Sequence, residues 1–273
     1  MTNHPELTRT ALSRDVCDVL RWFRPNGQRK DMSCRVALRR LEQLGLLRLP
    51  APTKSNGNGK WRPHLTTASD PRESIRESAP ALEPVTTVAV ASRQQAQLWN
   101  ELIARYHYLG YRPLPGAQMR YLIHCRKGLV GALSFSAAAW KIAPRDQWIG
   151  WTDEQRRHNL HLIVGNSRFL ILPWIQSHNL ASKILSLAVR QLPADWQQRH
   201  GFQPVLLETF VETPRFHGTC YKAANWIGVG QTQGRGRMDR YSQNFLPRKD
   251  IYLYPLRPDF RQYLGVTNKE VIP

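Results

Sequence analysis

The stretch Leu206–Arg237, LLETFVETPRFHGTCYKAANWIGVGQTQGRGR, constrains the fold more than any other part of the chain. An apolar run, Pro204–Leu207, continues through Glu208-Thr209-Phe210-Val211 and stops at Pro214, the pattern of a buried strand. Thr219 then stands where it can cap a helix of about two turns with Cys220, Ala223 and Ala224 on one face. Ile227–Gly230 reads as a small strand, and Gly234-Arg235-Gly236-Arg237 as a turn bearing two guanidinium groups. Strand, polar loop, helix and strand in so short a span indicate an α+β sheet domain.

The same stretch gathers Glu208, Glu212, Arg215, His217, Cys220, Tyr221 and Asn225. On a structural reading Glu208 pairs with Arg215, Cys220 is an ordinary small buried residue and Trp226 fills the core. On a catalytic reading Glu208 and Glu212 hold a divalent metal, or Tyr221 or His107 acts as a covalent group or general base. No metal or nucleophile motif of known spacing decides between them.

Charge sets the expected partner. The chain has 39 Lys and Arg against 20 Asp and Glu, a formal net charge of +19. Such an excess attracts polyanions, nucleic acid first among them. Residues 215–249 alone carry seven basic side chains against one acid, so Arg215, Arg235, Arg237 and Arg240 are expected on a nucleic-acid surface. No apolar run approaches the roughly 18–20 residues that cross a bilayer, and the start MTNHPELTRT has no secretory pattern. Four separated cysteines form no CxxC pair. A cytoplasmic protein with reduced thiols and no membrane partner is expected.

Along the chain, residues 1–50 read as a helix-turn-helix arm with a short wing. Leu12, Val16, Val19 and Leu20 make one helical face; Pro25-Asn26-Gly27 turns; Ser33 caps a second helix, Cys34–Leu44, which Gly45 ends. Leu38, Leu41 and Leu44 are expected to face inward, leaving Arg35, Arg39 and Arg40, with Lys30 ahead of them, to contact DNA. Residues 51–84, rich in Pro, Ser, Gly and Asn, read as a flexible linker. Residues 85–273 read as a second domain. In it a strand at Val85–Val90 and a helix at Arg93–Tyr106 precede a hairpin of Gln118–Cys125 and Gly128–Phe135. Strands at Leu160–Val164 and Arg168–Leu172, a helix at His178–Leu192 ended by Pro193, and a last strand in Lys249–Leu256 follow.

This order of elements resembles the acyltransferase fold of the GNAT superfamily, with Tyr221–Gly230 in the place of its closing helix and strand. Such enzymes hold the acetyl-CoA pyrophosphate on a glycine-rich turn at a helix N-terminus. The corresponding Pro173–Ser182 has no glycine, so acetyl-CoA is not expected and the cofactor is otherwise unspecified; a divalent metal is expected only under the enzyme reading. A more specific resemblance runs through ARYHYLGY, QWIGW, NSRFLILPWI, NLASKIL, Leu206–Arg237 and IYLYPL, which are similar to the Druantia anti-phage system protein DruA family. The N-terminal LSRDVCDVLRWFRPNGQRKDMSCRVALRRLEQLGLLRLPAP is similar to the same proteins. That resemblance implies an association with phage defence or mobile DNA. The expectation is thus a DNA-binding component of such a system, acting on double- or single-stranded DNA beside other defence or transposition proteins. The alternatives are a DNA-processing nuclease or strand-transfer enzyme, and a GNAT-like acyltransferase.

Overall fold

The computed structural model describes residues 7–23, 29–52, 63–114, 116–234 and 246–266. The chain divides into two compact units, Met1–Trp61 and Arg62–Pro273.

The first unit is a pair of helices, α1 (Arg9–Val19) and α2 (Asp31–Gln43). Thr8 caps α1 by accepting the Ala11 N–H, while α2 starts at Asp31 without a side-chain cap, ahead of the expected Ser33. Gly45 follows α2 with φ +72°, the left-handed position that glycine takes at no steric cost. The seam between the helices is made by Ser13, Cys17 and Cys34, all buried. It is closed by Glu42, whose carboxylate accepts the Leu49 N–H at 3.0 Å and an Arg9 bond at 3.4 Å. The expected inward leucine face is not observed: Leu41 is exposed and Leu44 is 64% exposed. Cys34 and Glu42 sit eight residues apart on the inner stripe instead. Leu46–Pro50, expected as a wing, forms no strand.

The second unit carries a seven-stranded sheet in the order β1-β2-β3-β4-β5-β7-β6. Its strands are β1 (Thr86–Ala89), β2 (Gln118–Cys125), β3 (Gly128–Ala137), β4 (Ile163–Ile171), β5 (Leu206–Glu212), β6 (Ile227–Gln231) and β7 (Lys249–Pro255). Every neighbouring pair is antiparallel except β4 and β5. Helix α3 (Arg93–Tyr106) follows β1, opened by a capping box between Ser92 and Gln95. Two short helices, α4 (Ala143–Ile149) and α5 (Asp153–Asn159), lie between β3 and β4. The long α6 (Leu180–His200) links β4 to β5, α7 (Thr219–Ala223) links β5 to β6, and α8 (Phe260–Tyr263) follows β7.

The sequence reading is corrected in three places here. Pro193 does not end α6; it lies inside the helix, because Leu192 and Trp196 on either side are buried and hold the backbone in place despite the lost N–H. Leu160–Val164 and Arg168–Leu172 are not two strands but the single β4, interrupted by a bulge at Ser167, where Ser134 faces Arg168 and Phe135 faces Asn166. The third concerns the expected flexible linker, whose later part is docked. Glu101 on α3 is 1% exposed and accepts the Thr66 N–H at 2.8 Å, the Thr66 hydroxyl at 2.8 Å and the Ser69 hydroxyl at 2.9 Å. Ile75 forms a parallel bridge to Ile175, and Ala79 and Leu82 are buried in the main core.

Two apolar clusters flank the sheet. The larger joins α3 and α6 to β2, β3 and β4; the smaller joins Ile149, Ile163, Leu206, Ile251 and Phe260 on the other half. Among the described residues no helix is long and apolar enough to cross a membrane.

Candidate active site

The parallel pair β4–β5 is in register only from Ile163↔Leu206 to Asn166↔Thr209. Beyond that point β4 runs on to Ile171 and β5 to Glu212 without pairing to each other, so the two strands part. The bulge at Ser167 sits where they separate. Bulges bend and twist a strand, and unpaired strand edges offer backbone donors and acceptors to a ligand.

Alternation across the pleat assigns the side chains around this opening to two faces. Register places Arg120, Ser134 and Arg168 on one face, and Tyr121, Leu133 and Phe169 on the other. The bulge adds one residue, so Asn166 and Phe169 share a face although an odd number of positions separates them. Both indeed meet Tyr221 of α7. The Tyr221 hydroxyl donates to Asn166 Oδ1 at 2.6 Å, and its ring lies edge-on to Phe169 at 6.4 Å and stacked on Tyr252 at 6.0 Å. Asn166 is itself fixed, its Nδ2 donating to the Ser134 carbonyl at 2.9 Å and the Arg168 carbonyl at 3.2 Å. Burial drives the Tyr221 pKa well above the ordinary phenol value. The phenol therefore keeps its proton and stands as a hydrogen-bond donor to Asn166. Gly218, just before α7, permits this packing: a Cβ there would lie 2.7 Å from the Tyr252 hydroxyl.

The other rim of the opening is aromatic and basic. His107, Tyr108, Arg215 and Phe216 come together from the loops after α3 and β5, with Tyr108 and Phe216 centroids 5.0 Å apart and the Arg215 guanidinium 5.0 Å from the Tyr108 ring. Arg215 thus lies on rings and does not pair with Glu208. His107 Nδ1 accepts the Leu109 N–H at 3.2 Å, which places the neutral ring's proton on Nε2. Burial first, and the nearby Arg168 charge second, lower its pKa to about 4. In this state His107 offers a donor and no free basic nitrogen, against the expected general base. Arg168 is held by the Ser167 carbonyl at 2.6 Å and the Gly110 carbonyl at 3.4 Å.

Glu208 stands elsewhere in the chemistry. Its side chain is out of solvent, one oxygen accepting the Ala139 N–H at 2.8 Å and the other the Arg145 guanidinium at 2.7 Å. Arg145 is shared with Asp146 at 2.8 Å, and Asp146 also accepts the Trp151 indole N–H and the Ile142 N–H. This network clamps the 138–151 segment to β5, so the two carboxylates expected to hold a metal are separated: Glu208 is locked and Glu212 lies at the strand end. Among the described residues no three His, Cys, Asp or Glu side chains gather as a metal site.

In the first unit, Arg35 is tied to Asp31 of its own helix at 2.8 Å, Lys30 precedes the helix, and Arg39 and Arg40 are exposed. Arg235, Arg237 and Arg240 lie outside the described residues. Asn166, Ser167, Arg168 and Tyr108 were not singled out as site residues from the sequence. The signal for the first three was present in the polar Asn-Ser-Arg triplet that interrupts an otherwise apolar strand.

The sheet order, with one parallel pair that parts beside a bulge, defines a mixed α+β domain. The chain belongs to the Druantia protein DruA family, whose pattern matches residues 40–246. No curated protein is similar to it. Among solved structures it is similar to the spermidine/spermine N-acetyltransferase SpeG of Vibrio cholerae, with TM-score 0.40, 11% identity, and 63% of this chain and 92% of that one covered. It is also similar to the ribosomal-protein-S18-alanine N-acetyltransferase of Escherichia coli, with TM-score 0.38, 7% identity, and 63% and 94% covered. An N-acetyltransferase of Staphylococcus aureus Mu50 aligns at TM-score 0.38 and 7% identity, with 63% and 97% covered. The expected DNA-binding component is corrected at this point. The first unit has neither the wing nor the inward leucine face on which its helix-turn-helix reading stood.

An acyltransferase of the GNAT type would hold coenzyme A at the turn before α6, and that turn tests the fit. It has no glycine from Pro173 to Ser182. The Gln176 N–H is given to the Ile75 carbonyl at 2.8 Å, and Ile175 is buried against the same segment. A pyrophosphate on a glycine-rich turn needs bare N–H groups where Ile175 and Gln176 stand, and that stretch does not fit it.

Proposed function

We propose that the chain is an acyltransferase whose reaction runs where β4 and β5 part. The observation that carries this reading is the parting of β4 from β5 beyond Asn166, with the Tyr221 hydroxyl donating to Asn166 Oδ1 at 2.6 Å at the point of separation. An extended acyl donor with amide groups can add where they part as a strand would. The acceptor nucleophile attacks the acyl carbon, the bond from that carbon to the donor sulfur breaks, and Tyr221 gives its proton to the leaving thiolate and regains one from the proton the acceptor sheds. His107, through Nε2–H, supplies a second donor on the opposite rim. Because the α6 turn lacks a phosphate cradle, the donor is held by its arm and acyl group, without a pyrophosphate contribution from that turn. Membership of the family supports partners among other proteins of a defence system.

The test is release of free thiol from a short acyl thioester carrying an amide arm, followed with the intact chain and with Tyr221→Phe. Wild type should turn the thioester over, and Tyr221→Phe should lose about 10²-fold in kcat, the usual effect of removing one donor to developing charge. A folded wild-type chain that releases no thiol from any acyl thioester would remove the proposal.

A further inference from the structure

Beside the opening, on the α3 face of the sheet, lies a cavity of about 130 Å³ lined by Trp99, Tyr111, Arg112, Gln118, Arg120 and Arg168, among others. None of its lining residues is an acid, and three are arginines. Several other arginines meet carboxylates: Arg9 with Glu42, Arg35 with Asp31, Arg105 with Asp70, Arg145 with Glu208, Arg257 with Asp259. Among the described residues Arg112, Arg120 and Arg168 form no ion pair. Arg120 is held in place by Asn100 Oδ1 at 3.0 Å and by the Trp99 ring, 5.5 Å from its guanidinium carbon, and Arg168 by two backbone carbonyls. Neutral acceptors orient these guanidinium groups and leave their charge uncompensated.

We propose that this cavity is a binding site for a phosphate group. Three guanidinium groups supply paired N–H donors in the forked geometry that phosphate oxygens match. The volume decides the size of what enters: at about 30 Å³ per water it holds roughly four waters, which suits one tetrahedral oxyanion and is well below the ~300 Å³ of a pocket that encloses a whole drug-sized ligand. The rest of a larger ligand projects out past Arg112 and Pro113, both exposed. Crowding of like charge supports the same reading. Burial lowers both pKa values, opposed by Tyr111 at Arg120 and Tyr108 at Arg168 and aided by the charges of Arg199 and Arg112 in turn, and a bound dianion would relieve that repulsion. The site stands whether or not the sheet cleft transfers acyl groups; if it does, the cavity is where a phosphorylated acceptor is held.

The experiment is calorimetric titration of the full chain with inorganic phosphate and, separately, with glycerol phosphate, at a pH where both are dianions. Wild type, Arg120→Gln and Arg112→Gln are compared, the last being an exposed position whose change leaves folding intact. Binding by wild type weakened roughly tenfold or more in each variant is expected, since each removes a charge-assisted hydrogen bond. Tighter binding of glycerol phosphate assigns the site to an organic phosphomonoester; equal binding assigns it to the free ion. No heat with either ligand at millimolar concentration, or affinity unchanged in both variants, overturns the proposal.

Discussion

The guanidinium of Arg145 lies 2.7 Å from a carboxylate oxygen of Glu208, and neither side chain is more than 1% exposed. The pair joins α4 to β5, the strand that borders the cleft. Removing either partner leaves a buried charge without its counterion, which costs about 3–5 kcal/mol, whereas replacing both with apolar residues of similar volume can be near neutral. Arg145→Ala should therefore lower the denaturant midpoint sharply. The double change Arg145→Met with Glu208→Leu should recover most of the loss. A single variant within about 1 kcal/mol of wild type would show that the pair does not carry this weight.

His107 gives the fold a pH dependence. Its folded pKa is about 4, below the unfolded value of 6.5. Between these values the unfolded chain binds the additional proton, so stability is present above the unfolded pKa and is lost as pH falls towards the folded one. In His107→Gln this titration is gone. The melting temperature of wild type should drop relative to that of His107→Gln as pH is lowered from 6.5 to about 4. Parallel curves over that window would contradict the assigned burial.

Glu101 anchors the docked segment. Burial pushes its pKa up, but the donors from Thr66, Ser69 and Gln97 outweigh burial and leave it below the ordinary carboxylate value. The carboxylate therefore stays ionised as an acceptor for that segment. Glu101→Ala should cost about 1–3 kcal/mol through donors left unsatisfied and should expose residues 66–84 to limited proteolysis. Equal protease resistance in the two proteins would mean that Ile75 and Leu82 hold the segment without it.

Much of the second unit was legible because local pattern and tertiary outcome agree. Helix α3 and strand β2 lie where periodicity placed them, and the β2–β3 hairpin turns at Arg126-Lys127, before Gly128, whose φ of +114° needs glycine. The site was half legible. Tyr221 and His107 were marked by residue type, and the structure sets them on opposite rims of the opening. Glu208 was marked too, but its partner Arg145 is 63 residues away, and no local pattern reports a contact of that span. The bulge at Ser167 depends on register with β3, which a single strand does not encode. Pro193 and residues 66–84 were misread for the same reason: proline and polar composition are local signals that burial of Trp196 and Leu82 overrides.

Acyl transfer at the parted strands without a phosphate cradle is the central claim. The most direct measurement is kcat/KM for one acyl group presented on coenzyme A and on a truncated amide-bearing thiol that lacks the nucleotide. The account predicts turnover of both, with values within about threefold, because a pyrophosphate that finds no N–H cradle adds no binding energy to spend on the transition state. A coenzyme A thioester favoured by 10²-fold or more, or no turnover of either by the folded chain, would contradict it.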